Sequence, residues 1–160
     1  MRGIRRENLR AGFTMIELIF VIVIIAILAI VAIPKLAATR DDAKMTRIAQ
    51  STMTAATEIA SYAVAQGETT KNLSTMSNTL ALMIHLGDAK QPNLNEPNAT
   101  IKWKNTPDCL VLAIEGQGQD EENLTIGYGS TSNDDECNRL RSLIDTERFP
   151  IPLRGRLISY

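Results

Sequence analysis

The sequence predicts an α+β fold in which one long N-terminal helix carries a small head built on an antiparallel sheet. Residues 13–33 form an apolar segment of 21 residues, in which only Thr14 and Glu17 are polar. The following stretch, Lys35 to Gln66, lacks glycine and proline and repeats apolar residues at three- and four-residue spacing, which is typical of an amphipathic helix. Strand-like runs come only later, beyond residue 99.

Composition excludes several classes of function. The formal net charge of −1 argues against a basic nucleic-acid binder, and the 4% aromatic content argues against base stacking. One His and two Cys are too few for a metal site built on those ligands. A membrane-anchored enzyme would have to rely on His85, which we expect to be a surface or half-buried helix residue. The chain is therefore predicted to be no enzyme and to need no cofactor.

The N-terminal segment predicts a membrane span. Met1 to Gly12 contains four Arg and one Glu, and a positive segment before an apolar run is held on the cytoplasmic side. As a helix, residues 13–33 would span about 31 Å, close to the roughly 30 Å of a bilayer core. A secretory signal would have a shorter core and an A-x-A-like cleavage site. A plain signal anchor fits the length but leaves Glu17 and the Gly12-Phe13 junction unexplained.

Residues 12–36, GFTMIELIFVIVIIAILAIVAIPKL, resemble the N-terminal signature of type IV prepilins and type II secretion pseudopilins. The family pattern is a short basic leader ending in Gly, followed by an apolar helix with Phe first, Glu fifth and Pro twenty-second. Gly12, Phe13, Glu17 and Pro34 occupy those places. The resemblance does not extend to the globular part beyond residue 66.

The resemblance implies processing by a membrane aspartyl prepilin peptidase, which would cut between Gly12 and Phe13 and methylate the new amine of Phe13. Removing the leader, with its four Arg and one Glu, would leave 148 residues and change the formal net charge from −1 to −4. Gly12 would let the peptidase approach the backbone closely, because glycine has no side chain.

The resemblance also implies roles in assembly for Glu17 and Pro34. Glu17 would pair with the freed amine of Phe13 in a neighbouring subunit and set the axial register; the alternative is an interfacial Glu that reaches the headgroups. Pro34 removes one helix hydrogen bond and should kink or loosen the helix; the alternative is a simple helix stop.

The predicted domains are the leader 1–12, the transmembrane and assembly half of the helix 13–34, its amphipathic half 35–66, and the globular head 67–160. In the head we predict a helix over 72–87, capped by Asn72 or Ser74, and a loop over 90–98. Strands are predicted over 100–104, 109–115 and 124–128, with 109–115 covered on both faces. A short helix over 135–145 and a last strand begun after Pro152 would follow. This meander would lie across the second half of the long helix, and the resemblance implies the same pilin-like arrangement.

Cys109 and Cys137 are the only cysteines, and the leader would place the head in an oxidising compartment. A disulfide is therefore predicted, and a C-terminal disulfide loop is common in pilins. Because the disulfide would close a loop with 27 residues between the cysteines, it would raise the free energy of unfolding by about 3.5 kcal/mol through the lost chain entropy of the unfolded state. The alternative is two unpaired thiols.

Other motifs are weaker. Oxygen ligands in Ser132 to Glu136 suit Ca²⁺, but their spacing favours a solvated acidic loop, so no metal site is predicted. Asn72, Asn98 and Asn123 begin N-x-S/T sequons, which occur often by chance.

The leading hypothesis is a structural subunit of a type IV pilus or a type II secretion pseudopilus. It would be held in the bacterial inner membrane by a single span, with its head in the periplasm, and polymerise into a periplasmic or extracellular filament. The implied partners are identical or related pilin subunits, the prepilin peptidase, an inner-membrane platform protein, an assembly ATPase and membrane lipid. The alternative is a minor tip pilin that binds DNA or a surface through the C-terminal arginines Arg139, Arg141, Arg148, Arg154 and Arg156. The acidic mature head argues against nucleic acid.

Overall fold

A computed structural model describes residues 12–119, 121–130 and 135–154. The chain divides into two compact units between Asp41 and Asp42. Helix α1, Met15–Gln66, supplies all the regular structure described in the first unit and the first element of the second. Its helical conformation continues through position 34, so Pro34 does not end it. The kink at Pro34 stays a prediction.

The second unit contains a five-stranded antiparallel sheet in the order β1-β2-β3-β4-β5. The strands are β1 Ala89–Lys90, β2 Asn98–Trp103, β3 Thr106–Glu115, β4 Asn123–Tyr128 and β5 Ile151–Pro152. Sequential strands are neighbours throughout, as in a meander. The predicted α+β, pilin-like architecture is thus confirmed.

The core of the second unit forms where α1 meets the sheet. Small and medium side chains of α1 are buried at helical spacing: Met45, Ile48, Ala49, Ala55, Ala56, Ile59 and Ala63. Larger side chains from the strands complete the same cluster: Ile101, Trp103, Leu110, Leu112, Ile114, Leu124 and Ile126. The frequent alanines let large residues of the sheet approach the helix closely.

Strand β3 is central, but the prediction that both of its faces are covered is wrong. Leu110, Leu112 and Ile114 are buried, whereas Val111 and Ala113 between them are only half-buried. The outward residues are small enough to be tolerated on a partly open face, so five consecutive apolar residues do not require two packed faces here.

The predicted single helix over 72–87 is also wrong. The structure has α2, Leu73–Met76, and α3, Asn78–His85, separated by Ser77 in an extended conformation (φ −140°, ψ 115°). Asn72 caps α2 by accepting a hydrogen bond from the Ser74 N–H at 3.1 Å. Ser77 caps α3 by accepting one from the Leu80 N–H at 2.9 Å.

The break is fixed by Glu58 of α1. Its Oε2 accepts hydrogen bonds from the Ser77 hydroxyl at 2.7 Å and the Thr79 N–H at 3.0 Å, and its Oε1 accepts one from the Thr79 hydroxyl at 2.7 Å. Burial opposes ionisation of Glu58, but the hydrogen bonds together outweigh it and lower the pKa of the carboxyl below its ordinary value. The ionised side chain therefore ties α1 to the start of α3.

The C-terminal part differs in extent from the prediction. Helix α4 is Asp135–Ser142 rather than 135–145, and a 3₁₀ turn follows at Thr146–Arg148. Strand β5 ends at Pro152 instead of beginning after it, because proline is tolerated on an edge strand. Beyond β5 the Leu153 N–H donates to the Glu122 carbonyl at 2.8 Å. Residues 155–160 of the predicted strand lie outside the described residues.

Candidate functional site

The candidate cleavage junction lies immediately before α1. Gly12 and Phe13 are both exposed, and Phe13 is 88% exposed. A Cβ added at Gly12 would meet no described atom within 4 Å. The described part of the chain therefore has room for a larger side chain at this position. Leader residues 1–11 lie outside the described residues.

Thr14 and Glu17 form a capping box at the start of α1. The Thr14 N–H and hydroxyl donate to Glu17 Oε2 at 2.9 and 2.8 Å, and the Glu17 N–H donates to the Thr14 hydroxyl at 3.3 Å. Sequence analysis missed this pairing, although its signal, T-x-x-E before an apolar run, was present. The carboxylate also lies in the first helical turn, where the helix dipole favours a negative charge.

The capping box matters because Glu17 lies in an apolar helix. A carboxylate exposed to lipid is costly unless it is paired or hydrogen-bonded. Thr14 provides two donors within the same subunit, and both bind Oε2 of Glu17. The pairing of Glu17 with the Phe13 amine of another subunit stays a prediction.

The surface of α1 beyond Glu17 is apolar and exposed. From Leu18 to Ile33, all but Ala29 are exposed, with Ile24 at 41% and Ile30 at 74%. Among the described residues, α1 is the one helix long and apolar enough to cross a membrane, judged by length and composition. Such a surface needs lipid or other apolar helices around it.

The head contains the Cys109–Cys137 disulfide, whose Cα atoms are 5.2 Å apart. It joins β3 to α4, and both half-cystines are fully buried. Beside it, Arg141 is 7% exposed; its Nε–H donates to the Cys109 carbonyl at 3.1 Å, and its guanidinium lies 4.7 Å from the Tyr128 ring centre. The disulfide and Arg141 together fix α4 against the sheet.

Each of the four described C-terminal arginines has an intramolecular partner: Arg139 pairs with Asp42, Arg141 with the Cys109 carbonyl, Arg148 with Asp145, and Arg154 with Glu122. Arg141 is buried, whereas the side chains of Arg139 and Arg148 are 59% and 72% exposed. Arg156 lies outside the described residues. Binding of DNA or a surface through these arginines stays a prediction.

The remaining candidate residues are dispersed. His85 is exposed at the last residue of α3. The Asn72 side chain is engaged in its cap, and Asn98 and Asn123 are half-buried within strands. Ser132, Asn133 and Asp134 of the acidic loop lie outside the described residues.

Comparison with family models gives one match. Residues 8–33 match the model described as the prokaryotic N-terminal methylation motif. Comparisons with curated proteins and with solved structures yield no match to this chain. The motif includes the Gly12-Phe13 junction and the capping-box residues described above. The chain carries the prepilin-type signature, which indicates a type IV pilin- or pseudopilin-like protein with a single apolar N-terminal helix.

Proposed function

We propose that the chain is a structural subunit of a type IV pilus or a type II secretion pseudopilus. In this proposal a prepilin peptidase cuts between Gly12 and Phe13 and methylates the Phe13 amine. The subunit waits in the inner membrane with residues 13–34 in the bilayer and the head, residues 67–160, in the periplasm. Residues 35–66 carry the head. A platform protein and an assembly ATPase then drive its polymerisation.

One observation carries the proposal: the motif at residues 8–33 contains the start of helix α1, and the apolar side chains of that part of the helix are exposed. A helix of this kind is stable in lipid, and it is equally stable among identical helices. Polymerisation would therefore exchange one apolar environment for another. The assembly ATPase would supply the energy that moves the subunit out of the membrane. The subunit itself would need little conformational change.

Glu17 would control the exchange. In the membrane-stored subunit the Thr14 N–H and hydroxyl would donate to its carboxylate. Cleavage creates a positively charged amine at Phe13, and the same amine on an incoming neighbour offers Glu17 a charge-assisted hydrogen bond, which is stronger than a neutral one. The carboxylate would then leave the capping box and mark the axial position at which the next subunit docks.

The first test is the intact mass of the protein isolated from its native membranes. Loss of residues 1–12 with one added methyl group on Phe13 is expected. A chain that keeps its leader in cells with an active peptidase would be a plain membrane anchor, and the filament proposal would lose its basis.

A second test separates the cap from the intersubunit pair. Glu17→Gln should be cleaved and methylated normally but yield few filaments, because a neutral amide cannot replace the carboxylate opposite an amine. Thr14→Val is the matched control, since it removes the hydroxyl of the capping box and leaves Glu17 ionised for a neighbour. Equal loss of filaments in both variants would show that Glu17 acts only as a helix cap.

A further inference from the structure

Glu122 is a buried carboxylate of the head whose partners come from three separate segments. The residue is 1% exposed and lies in the β3–β4 turn, residues 116–122, directly before β4. Its Oε1 and Oε2 accept from the Thr69 hydroxyl at 3.2 and 3.1 Å, and its Oε1 also accepts from the Gly118 N–H. Its Oε2 lies 3.4 Å from Nε of Arg154, which follows β5. A carboxylate removed from water in this way is stable only while these partners stay in place.

The C-terminal segment of the described chain, residues 151–154, is held against the sheet largely through Glu122, and we call this segment the strap. Within the described residues, β5 pairs with β4 at two positions, Asn123 with Pro152 and Leu124 with Ile151. The next residue, Leu153, is buried, and its N–H donates to the Glu122 carbonyl at 2.8 Å. Arg154 then reaches the Glu122 side chain. Glu122 therefore contacts the strap through both its backbone and its carboxylate.

The same carboxylate helps to hold the β3–β4 turn in shape. Within the turn the Gln119 N–H donates to the Gly116 carbonyl at 2.9 Å, and the Gly118 N–H donates to Glu122. The Gln117 side-chain amide donates to the Thr69 hydroxyl at 3.3 Å, and that hydroxyl in turn donates to Glu122. The turn and the strap thus share one side chain as their common partner.

Arg154 carries a feature that opposes closure of the strap. Its Nε is buried and makes no hydrogen bond to any described residue, so its contact with Glu122 is an ion pair alone. A buried donor without an acceptor costs free energy, which contact with water would recover. The Arg154 side chain is 37% exposed, so water is close by. The charge of Glu122 therefore favours the closed strap, and hydration of Arg154 favours the open one.

We propose that Glu122 is a latch through which the strap and the β3–β4 turn open and close together. When the strap leaves, the carboxylate loses its cation and is stabilised by moving into water. That movement withdraws the acceptor from the Gly118 N–H, so the turn opens as well. The joint opening uncovers the edge of β4 at Asn123 and Leu124, where β5 pairs with it. The latch lies entirely within the head and does not depend on the proposed assembly function.

Amide hydrogen exchange of the full chain in detergent tests the joint opening. The Leu153 N–H reports on the strap and the Gly118 N–H reports on the turn, because each donates to Glu122. Both amides should exchange with one free energy of opening and one urea dependence. That dependence should be weaker than the one for unfolding of the whole head, followed by the fluorescence of the buried Trp103, because a local opening exposes less surface.

Three variants test whether the charge of Glu122 holds the latch. Arg154→Leu should speed exchange of both amides by the same factor, about tenfold or more, because it leaves a buried carboxylate without its cation. Arg148→Leu is the matched control: the side chain of Arg148 is 72% exposed and pairs with Asp145, so neither amide should change. Glu122→Gln combined with Arg154→Leu should exchange more slowly than Arg154→Leu alone. In this double variant an amide oxygen can still accept from Gly118, and no charge is left without a partner.

Three results would overturn the latch. Different free energies of opening for Leu153 and Gly118 would show that the strap opens without the turn. A urea dependence of both amides equal to that of Trp103 fluorescence would show that they exchange only when the whole head unfolds. Exchange in the double variant as fast as in Arg154→Leu, or faster, would show that packing and not charge holds the strap.

Discussion

Glu58 joins two helices through one carboxylate, and its replacement by glutamine tests this connection. Oε2 serves two donors, the Ser77 hydroxyl and the Thr79 N–H, while Oε1 serves the Thr79 hydroxyl. Glutamine has the same size but converts one oxygen into an amide group that cannot accept. At least one of the three donors then loses its acceptor, and the remaining hydrogen bonds are made to an uncharged group.

The expected loss follows from these bonds. A hydrogen bond to a charged group contributes about 1.5–3 kcal/mol, against roughly 0.5–1.5 kcal/mol for a neutral one. Glu58 is half-buried, so water recovers part of the difference. We expect Glu58→Gln to lower the free energy of unfolding by about 1–2 kcal/mol at pH 7, a factor of roughly 5–30 in the folding equilibrium.

The assay is urea unfolding of the full chain in detergent, followed by the fluorescence of Trp103. This residue is the single tryptophan and is 1% exposed in the core of the head, so it reports on the head and not on the apolar helix. Glu68→Gln is the matched control, because Glu68 is exposed and a surface substitution usually changes stability by less than about 0.5 kcal/mol.

The pH dependence provides a second criterion. The folded-state pKa of Glu58 is lowered from its ordinary value of 4.5. Its stabilisation is therefore fully present above that ordinary value and is lost as the pH falls through the folded-state pKa. The unfolding free energies of wild type and Glu58→Gln should converge under acid conditions. Equal stability at pH 7, or a difference that persists in acid, would refute the assigned role of the ionised carboxylate.

Three further changes probe the head by the same unfolding assay. Ile59→Ala should lower the free energy of unfolding by about 3–4 kcal/mol, because Ile59 is 0% exposed in the core. Val64→Ala, at a position that is 79% exposed on the same helix, should lower it by well under 1 kcal/mol. Replacing both Cys109 and Cys137 by serine should lower stability by about 2–4 kcal/mol and make the protein insensitive to reductant; a variant as stable as the oxidised wild type would contradict this. Gly116→Ala should cost about 1–3 kcal/mol, since Gly116 has φ +68° and an added Cβ would press on a backbone carbonyl across the turn, so an unchanged midpoint would argue against that turn geometry.

The elements that depend on local pattern were predictable. The absence of glycine and proline between Lys35 and Gln66 predicted an unbroken helix, and α1 ends at Gln66, before Gly67 with φ +71°. The alternation around Ile101 and Ile126 predicted β2 and β4, with their boundaries within two residues. Such features are decided by residues close in sequence, so periodicity is enough to find them.

The features that were missed depend on distant partners. The break at Ser77 is held by Glu58, 19 residues away, so the apolar spacing of Met76, Leu80 and Met83 could not reveal it. The burial of Arg141 depends on a carbonyl 32 residues away. Glu122, in the polar stretch between β3 and β4, is 1% exposed, and Arg154 and Thr69 contact its carboxylate.

The candidate site belongs with the features that local pattern predicts. Its linear motif, from the glycine before Phe13 to Pro34, was readable because its residues stand at fixed spacings close together in the sequence. The capping box of Thr14 and Glu17 is also local, and the T-x-x-E pattern before an apolar run predicts it.

The contacts of Arg141 bear on how the disulfide of the head forms. Leu140 and Arg141 dock α4 on the sheet through burial and a hydrogen bond to the Cys109 backbone, neither of which requires a covalent link. A reduced chain docked in this way would hold the two thiols at a high effective concentration, so that oxidation becomes an intramolecular reaction between groups already in position. In that order of events the fold brings the two thiols together first, and the disulfide then holds α4 on the sheet covalently.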